Sequence, residues 1–283
     1  MNTKYRKGLS PEEKEKQLSK LLRGYVSVVA AFSGGVDSSY LLYVAQMVLR
    51  DKVLAVTSQS PLYPQHHLKR AKDFARRYGI AHTIIATNEL ASPRFRSNSP
   101  SRCYYCKVEL FTRLKEIAAE KGYNVVIEGS NVDDTSDFRP GLKASRELKV
   151  LSPLIDAGIT KDEVRYLSRK ASLPTWNLPS SACLASRFPY HTTITSEKLK
   201  TVEQGEDFLR ELGFQQVRIR HHGDLARIEV LSSEISRFLD SNVLEKAVKK
   251  IKNLGYKYIT LDLQGYRTGS LNEVLKTSAK EIP

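Results

Sequence analysis

Residues 25–32 (YVSVVAAF) form a nearly unbroken apolar run, followed at once by Ser33, Gly34, Gly35, Val36, Asp37, Ser38 and Ser39. An apolar run this short suits a strand buried on both faces, the environment of a parallel sheet. Adjacent glycines reach backbone angles closed to other residues and let a ligand approach the chain. Residues 38–49 then read as a helix. Its first N–H groups and its dipole favour an anion, and the hydroxyls of Ser33, Ser38 and Ser39 add donors. Asp37 is an anion itself, so it meets a phosphate only through a cation such as Mg2+. The motif G-x-x-x-x-G-K-S/T is missing, so no lysine is placed in the loop to bridge β- and γ-phosphates, and G-x-G-x-x-G is missing as well.

The alternation continues on both sides of this loop. Ser10, Pro11, Glu12 and Glu13 make a capping box with proline at the first helical position, opening a helix to about residue 24. Strands are expected at 53–57, 81–86 and 124–128. Helices are expected at 67–78, ended by Gly79, and at 107–121, after a polar stretch carrying Cys103 and Cys106. A second capping box, Thr160 to Glu163, opens a helix to about 171. Strands alternating with helices predict an α/β fold with a doubly wound parallel sheet. Beyond Leu173 the pattern changes. Pro174, Pro179 and Pro189 punctuate an irregular segment that carries Cys183. Helices at 196–212 and 242–254, with strands at 216–221, 226–231 and 257–261, then predict a smaller α+β domain. The boundary is placed near residue 190, giving domains 1–190 and 191–283.

A chain of 283 residues suits two such domains. Lysine and arginine outnumber aspartate and glutamate by 45 to 31, which suits nucleotides, coenzymes or RNA as well as a generally basic surface. Three cysteines are too few for a disulfide scaffold and point to a reducing compartment. With a polar N-terminus and no apolar run of membrane-spanning length, the expectation is a cytoplasmic protein.

The loop resembles the SGGxDS signature of the PP-loop ATP pyrophosphatases, whose chemistry is adenylation with loss of pyrophosphate into the loop. The segment from Gly129 to Asp134, with Asp137, Phe138, Arg139, Pro140 and Gly141, resembles a second nucleotide-site segment of the NAD synthetase-like branch. The resemblance implies ATP binding by Ser33, Gly34, Gly35, Asp37, Ser38, Ser39, Gly129 and Arg139. The segments 179–187 (PSSACLASR), 226–230 (ARIEV) and 265–272 (GYRTGSLN) narrow it further. Together they resemble the LarE family of ATP-dependent sulfur transferases that mature lactate racemase. That resemblance implies a small-molecule nucleotide substrate, pyridinium-3,5-dicarboxylic acid mononucleotide. Its carboxylates would be adenylated and converted to thiocarboxylates for the nickel-pincer nucleotide. It also implies a homo-oligomer, a trimer or a multiple of one. Adenylation makes chemical sense, because a carboxylate is a poor electrophile and an acyl adenylate is one that soft sulfur attacks.

Some members of the family sacrifice the cysteine matching Cys183 as the sulfur source. This chain departs from that pattern by also holding Cys103 and Cys106. Three thiolates suit a 4Fe-4S cluster with one iron free of protein ligand, which resembles the cluster-dependent branch. The same cysteines are also compatible with a redox pair, with a Cys3His zinc site completed by His191, or with no role. A substrate bearing two carboxylates and a phosphate needs cations, and Arg218, Arg220 and Arg267 are the candidates, with Glu229 to orient an arginine or hold a metal. Arg187, close after Cys183, is placed to lower the thiol pKa or steady the adenylate. A tRNA thiolase of the same superfamily, an amide-forming synthetase and a nucleotide-sensing domain are the rival readings. The first is disfavoured because no RNA-binding module and no dense basic block is present.

Overall fold

The computed structural model describes residues 8–135, 140–179, 182–267 and 269–272. They form two compact units. The first comprises Met1–Phe95 and Pro100–Leu178, the second Arg96–Ser99 and Pro179–Pro283. The units divide between Leu178 and Pro179, within the proline-punctuated segment and ahead of residue 190.

The first unit opens with α1 (Pro11–Tyr25), started by the expected capping box: Ser10 Oγ accepts from Glu13 N, and the Glu13 carboxylate accepts from Ser10 N. Then follow β1 (Val28–Ala31), α2 (Val36–Leu49), β2 (Val53–Gln59), α3 (Gln65–Arg77), β3 (Ala81–Ala86) and the single turn α4 (Pro93–Arg96). The chain continues through α5 (Arg102–Glu120), β4 (Val125–Ile127), α6 (Pro140–Glu147), α7 (Pro153–Asp156) and α8 (Lys161–Lys170). All four strands are parallel, in the order β3-β2-β1-β4, with Val28 opposite both Val53 and Val125. Both faces of β1 are covered, as its apolar run requires. Val28 and Ala30 pack with Leu18, Tyr40, Phe74 and Val164 on one side. Val29 packs with Phe111, Leu114 and Ala144 on the other. Burying each of the two valines contributes about 1.5–3 kcal/mol. The strand order reverses direction at β1, so the crevice beyond the carboxyl ends of β1 and β4 is the topological switch point where open α/β sheets bind ligands.

One expectation needs correction. Cys103 and Cys106 do not precede their helix; α5 starts at Arg102 and contains both. Ser101 makes no side-chain cap bond, so no local signal marks this start, and it is set by the burial of Arg102 and Cys106.

The second unit holds α9 (Ser196–Glu211), β5 (Arg218–His222), β6 (Leu225–Glu229), α10 (Ser241–Asn253) and β7 (Tyr258–Leu261). β5 and β6 form an antiparallel hairpin closed by Gly223 and Asp224, and Gly223 supplies the positive φ of 66° that a two-residue hairpin turn demands. β7 adds parallel to β6 after the α10 crossover. The α9 stripe of Leu199, Val202 and Leu209 is buried. Gly205 lets this helix approach β5: an added Cβ would sit 2.6 Å from Ile219 Cδ1. The segment 96–99 belongs to this unit through backbone bonds from His191 N to Asn98 O and from Ile194 N to Arg96 O, each 3.0 Å. Asn98 Nδ2 also donates to the Pro189 carbonyl at 2.8 Å. Among the described residues no helix is long and apolar enough to cross a membrane.

Candidate active site

In the first unit the loop between β1 and α2 is stitched by its own serines. Ser33 Oγ lies 3.0 Å from Ser38 Oγ and accepts from Gly35 N at 3.3 Å, while Ser38 Oγ donates to the Gly35 carbonyl at 3.3 Å. Gly34 holds φ at +69°, and a Cβ there would meet Ala71 N of α3 at 3.2 Å. Gly129, just past β4, is tighter still: a Cβ would lie 2.9 Å from Ser38 N and 3.0 Å from Ser38 Cα. Its role in the structure is to let the first turn of α2 close on the end of β4. Ser39, expected among the phosphate donors, instead faces the core. It is fully buried, its hydroxyl has no partner among the described residues, and it shares a helical face with Val36 and Tyr40. Arg139 lies outside the described residues.

Asp37 stands at the N-terminus of α2 and is gripped from two sides. Its Oδ1 accepts from Asn131 Nδ2 at 3.1 Å, and its Oδ2 pairs with Lys161 Nζ. Lys161 is the first residue of α8, behind the second capping box, and its backbone N–H donates to Asp133 Oδ2 at 2.7 Å. Asn131 N–H in turn donates to Asp134 Oδ2 at 3.0 Å. The segment after β4 thus holds both partners of Asp37. A carboxylate oxygen at a phosphate loop is of the hard type that suits Mg2+, and here Asp37 Oδ2 is taken by the Lys161 ammonium. Sequence reasoning placed Asn131 in a nucleotide-site segment without giving it a role, and missed Lys161. A signal existed for Lys161: a cation in the first turn of a helix opposes the macrodipole, so it needs a local anion or another purpose.

Cys103 and Cys106, three residues apart on α5, lie on neighbouring positions of one helical face. Cys106 is buried, with its sulfur 3.9 Å from Glu89 Oε1 and 3.8 Å from the Tyr63 hydroxyl. Glu89, also missed, is 2% exposed and accepts from Ser60 Oγ at 2.6 Å and Thr87 Oγ1 at 2.9 Å. All three cysteines of the chain are thiols outside disulfides. Among the described residues no group of three or more histidine, cysteine, aspartate or glutamate side chains assembles to hold a metal ion.

In the second unit Cys183 begins the turn Leu184–Arg187, its carbonyl accepting from Ser186 N at 3.0 Å. Arg187 is 1% exposed and does not reach outward to a ligand. It makes a two-point contact with Glu206 at 2.8 and 2.9 Å, and its Nη1 donates to the Ala182 and Cys183 carbonyls at 2.8 and 3.0 Å. It holds the cysteine turn in place, and its guanidinium also interacts electrostatically with Cys183, the residue whose thiol it had been expected to influence. Burial alone would raise the Glu206 pKa. The Arg187 guanidinium outweighs it, helped by Arg218 and Arg210, and holds the carboxyl at about 2. Glu206 was legible in principle, as a charge set within the apolar stripe of α9.

Arg220 is locked to Glu229 at 2.9 and 2.7 Å, and its Nη1 reaches the Ser186 carbonyl at 2.8 Å. Glu229 therefore orients an arginine, one of its two expected roles, and Arg227 adds to the pair at 3.2 Å. Arg218 is 4% exposed and lies over the Tyr266 ring at 5.2 Å. Its burial, together with Arg187, lowers its pKa to about 10. Arg267 sits 3.7 Å from Asp262, which also faces Arg227 at 3.6 Å. Arg187, Arg218, Arg220, Arg227 and Arg267 thus lie in one unit with the acids Glu206, Glu229 and Asp262.

Comparison with known proteins agrees with this layout. The NAD synthase family model matches residues 14–113, the part of the first unit built around the phosphate loop. An uncharacterised protein of Synechocystis is 45% identical over 87% of this chain and 91% of its own length. The pyridinium-3,5-bisthiocarboxylic acid mononucleotide synthase of Lactiplantibacillus plantarum is 38% identical over 93% of this chain and 95% of its own length. An uncharacterised protein of Methanocaldococcus jannaschii is 30% identical over 85% of this chain and 91% of its own length. With that identity to the Lactiplantibacillus synthase running almost end to end in both proteins, the chain belongs to the LarE family.

Proposed function

We propose that this chain is an ATP-dependent sulfur transferase that converts the carboxylates of pyridinium-3,5-dicarboxylic acid mononucleotide to thiocarboxylates. The observation that carries this reading is the phosphate loop at the switch point of the sheet, with Asp37 held by Asn131 and Lys161 and no lysine in the loop itself. In the proposed reaction a substrate carboxylate oxygen attacks the α-phosphorus of ATP, and the bond to the β-phosphate oxygen breaks. Pyrophosphate leaves toward the N–H groups of the loop, and an acyl adenylate remains. Sulfide then attacks the acyl carbon and AMP departs with the bonding pair. Asp37 would hold Mg2+, and Lys161, displaced from Asp37 by the ion, would turn its ammonium to a phosphate. The arginine cluster of the second unit would hold the substrate's charged groups through Arg218, Arg220 and Arg267.

For the sulfur source we favour a 4Fe-4S cluster ligated by Cys103, Cys106 and Cys183; the pair of thiols on one turn of α5 suits two of its ligands. When bound, such a cluster supplies an iron without protein ligand that can carry inorganic sulfide. Sacrifice of Cys183 is the second reading. Two measurements test the proposal. Chromatography of spent nucleotide should give AMP, and stoichiometric ADP would overturn the adenylation chemistry. Anaerobic iron and sulfide analysis of wild type, Cys103→Ala and Cys106→Ala should show iron lost in both variants with repeated turnover. Variants as active as wild type, beside a wild-type chain lighter by the mass of hydrogen sulfide after one turnover, would establish the sacrificial route.

A further inference from the structure

We infer that Arg70 is a ligand for the β- and γ-phosphates of ATP, an assignment that rests on the ATP-dependent reading above. The phosphate loop contains no cation of its own. Helix α3 packs directly on it, since Ala71 N is what a side chain at Gly34 would strike. The neighbouring Arg70 donates its Nε to the Gly34 carbonyl at 2.8 Å. A guanidinium is planar and rigid, so this one bond pins its plane beside the loop and leaves the outer edge, Nη1 and Nη2, for another acceptor. Among the described residues the Gly34 carbonyl is its one hydrogen-bond partner, and it has no carboxylate. The acid on its own helix, Asp73, is taken by Lys69 at 3.0 Å and Arg76 at 3.8 Å. The side chain is nonetheless partly withdrawn from water, and this burial depresses its pKa. A half-buried cation without a counter-charge is costly unless an anion completes the site. The anion suited to a two-pronged donor beside serine hydroxyls and a helix N-terminus is a phosphate. Because pyrophosphate is the group that leaves into the loop, the contact falls on the β- and γ-phosphates and spares the AMP half.

The test exploits the geometry of glutamine. Its Nε2 stands as many bonds from Cα as arginine Nε does, so Arg70→Gln can keep the bond to Gly34 while deleting the fork and the charge. Isothermal titration of the full chain with ATP, pyrophosphate and AMP reads the difference. ATP and pyrophosphate should weaken about tenfold or more, AMP should bind as in wild type, and Arg70→Lys should fall between. The AMP titration also reports that the variant is folded. Pyrophosphate affinity equal to wild type would overturn the assignment alone. Equal losses for AMP and pyrophosphate would also overturn it, making Arg70 only a prop for the loop. A wild-type chain that binds no polyphosphate would overturn it together with the proposed function.

Discussion

Replacing Glu206 with glutamine isolates the electrostatics that hold the Cys183 turn. Arg187 and Glu206 are 1% and 0% exposed, and the carboxylate also accepts from Arg210 Nη2 at 2.9 Å and from Ile219 N at 3.1 Å. The amide keeps the size and one acceptor but leaves Arg187 a buried cation without a counter-charge. Breaking a buried pair in this way costs about 3–5 kcal/mol. The pKa gives an independent route: a fall from 4.5 to about 2, at 1.36 kcal/mol per unit, is about 3 kcal/mol. Calorimetry at neutral pH should show the transition of the second unit lowered by on the order of 10 °C. The folded pKa lies below the unfolded one, so the contribution is complete above about pH 4.5 and drains away as pH falls through about 2. The gap between wild type and variant should therefore be constant from pH 7 to about 5 and narrow below that. Alkylation of Cys183 should be faster in the variant, because Arg187 no longer anchors the Ala182 and Cys183 carbonyls. A variant within about 1 kcal/mol of wild type at pH 7, or a gap that persists undiminished at pH 3, would refute the reasoning.

Asp37→Asn should retain the wild-type circular dichroism spectrum while pyrophosphate release with the nucleotide acid drops to less than about a tenth; a rate above that refutes the metal-holding role. Gly129→Ala places a methyl group against the Ser38 backbone, and urea titration should show a loss of about 1–3 kcal/mol with weaker ATP binding. As its control, Gly24→Ala adds a methyl to open space at the end of α1 and should be neutral or stabilising by up to about 1 kcal/mol.

The parts of the fold that were legible in the sequence are those dictated by local chemistry. The run before Ser33 announced a strand covered on both faces, and Val28 and Val29 are buried on opposite sides of it. Both capping boxes form, because each needs only residues three apart. The start of α5 escaped because packing, and no cap, decides it. The site was legible where a motif is contiguous and obscure where its members are distant. Lys161 reaches Asp37 across 124 residues, and no local pattern encodes that meeting. Ser39 shows the converse: a motif names a residue, but the helical period decides which way it faces. For Arg187 the proximity to Cys183 was visible in the sequence and the buried pairing with Glu206 was not.

The membership of residues 96–99 in the second unit has a consequence for how the chain can be divided. The polypeptide leaves the first unit after Phe95, contributes Asn98 to the second, returns at Pro100 and crosses again at Pro179. A fragment beginning at Pro179 would therefore lack the Asn98 carbonyl that receives His191 N–H and the amide that caps the Pro189 carbonyl. Neither unit is a detachable cassette. Residues 96–99 are synthesised long before residues 191–194, so they can make their backbone bonds only after the second unit emerges.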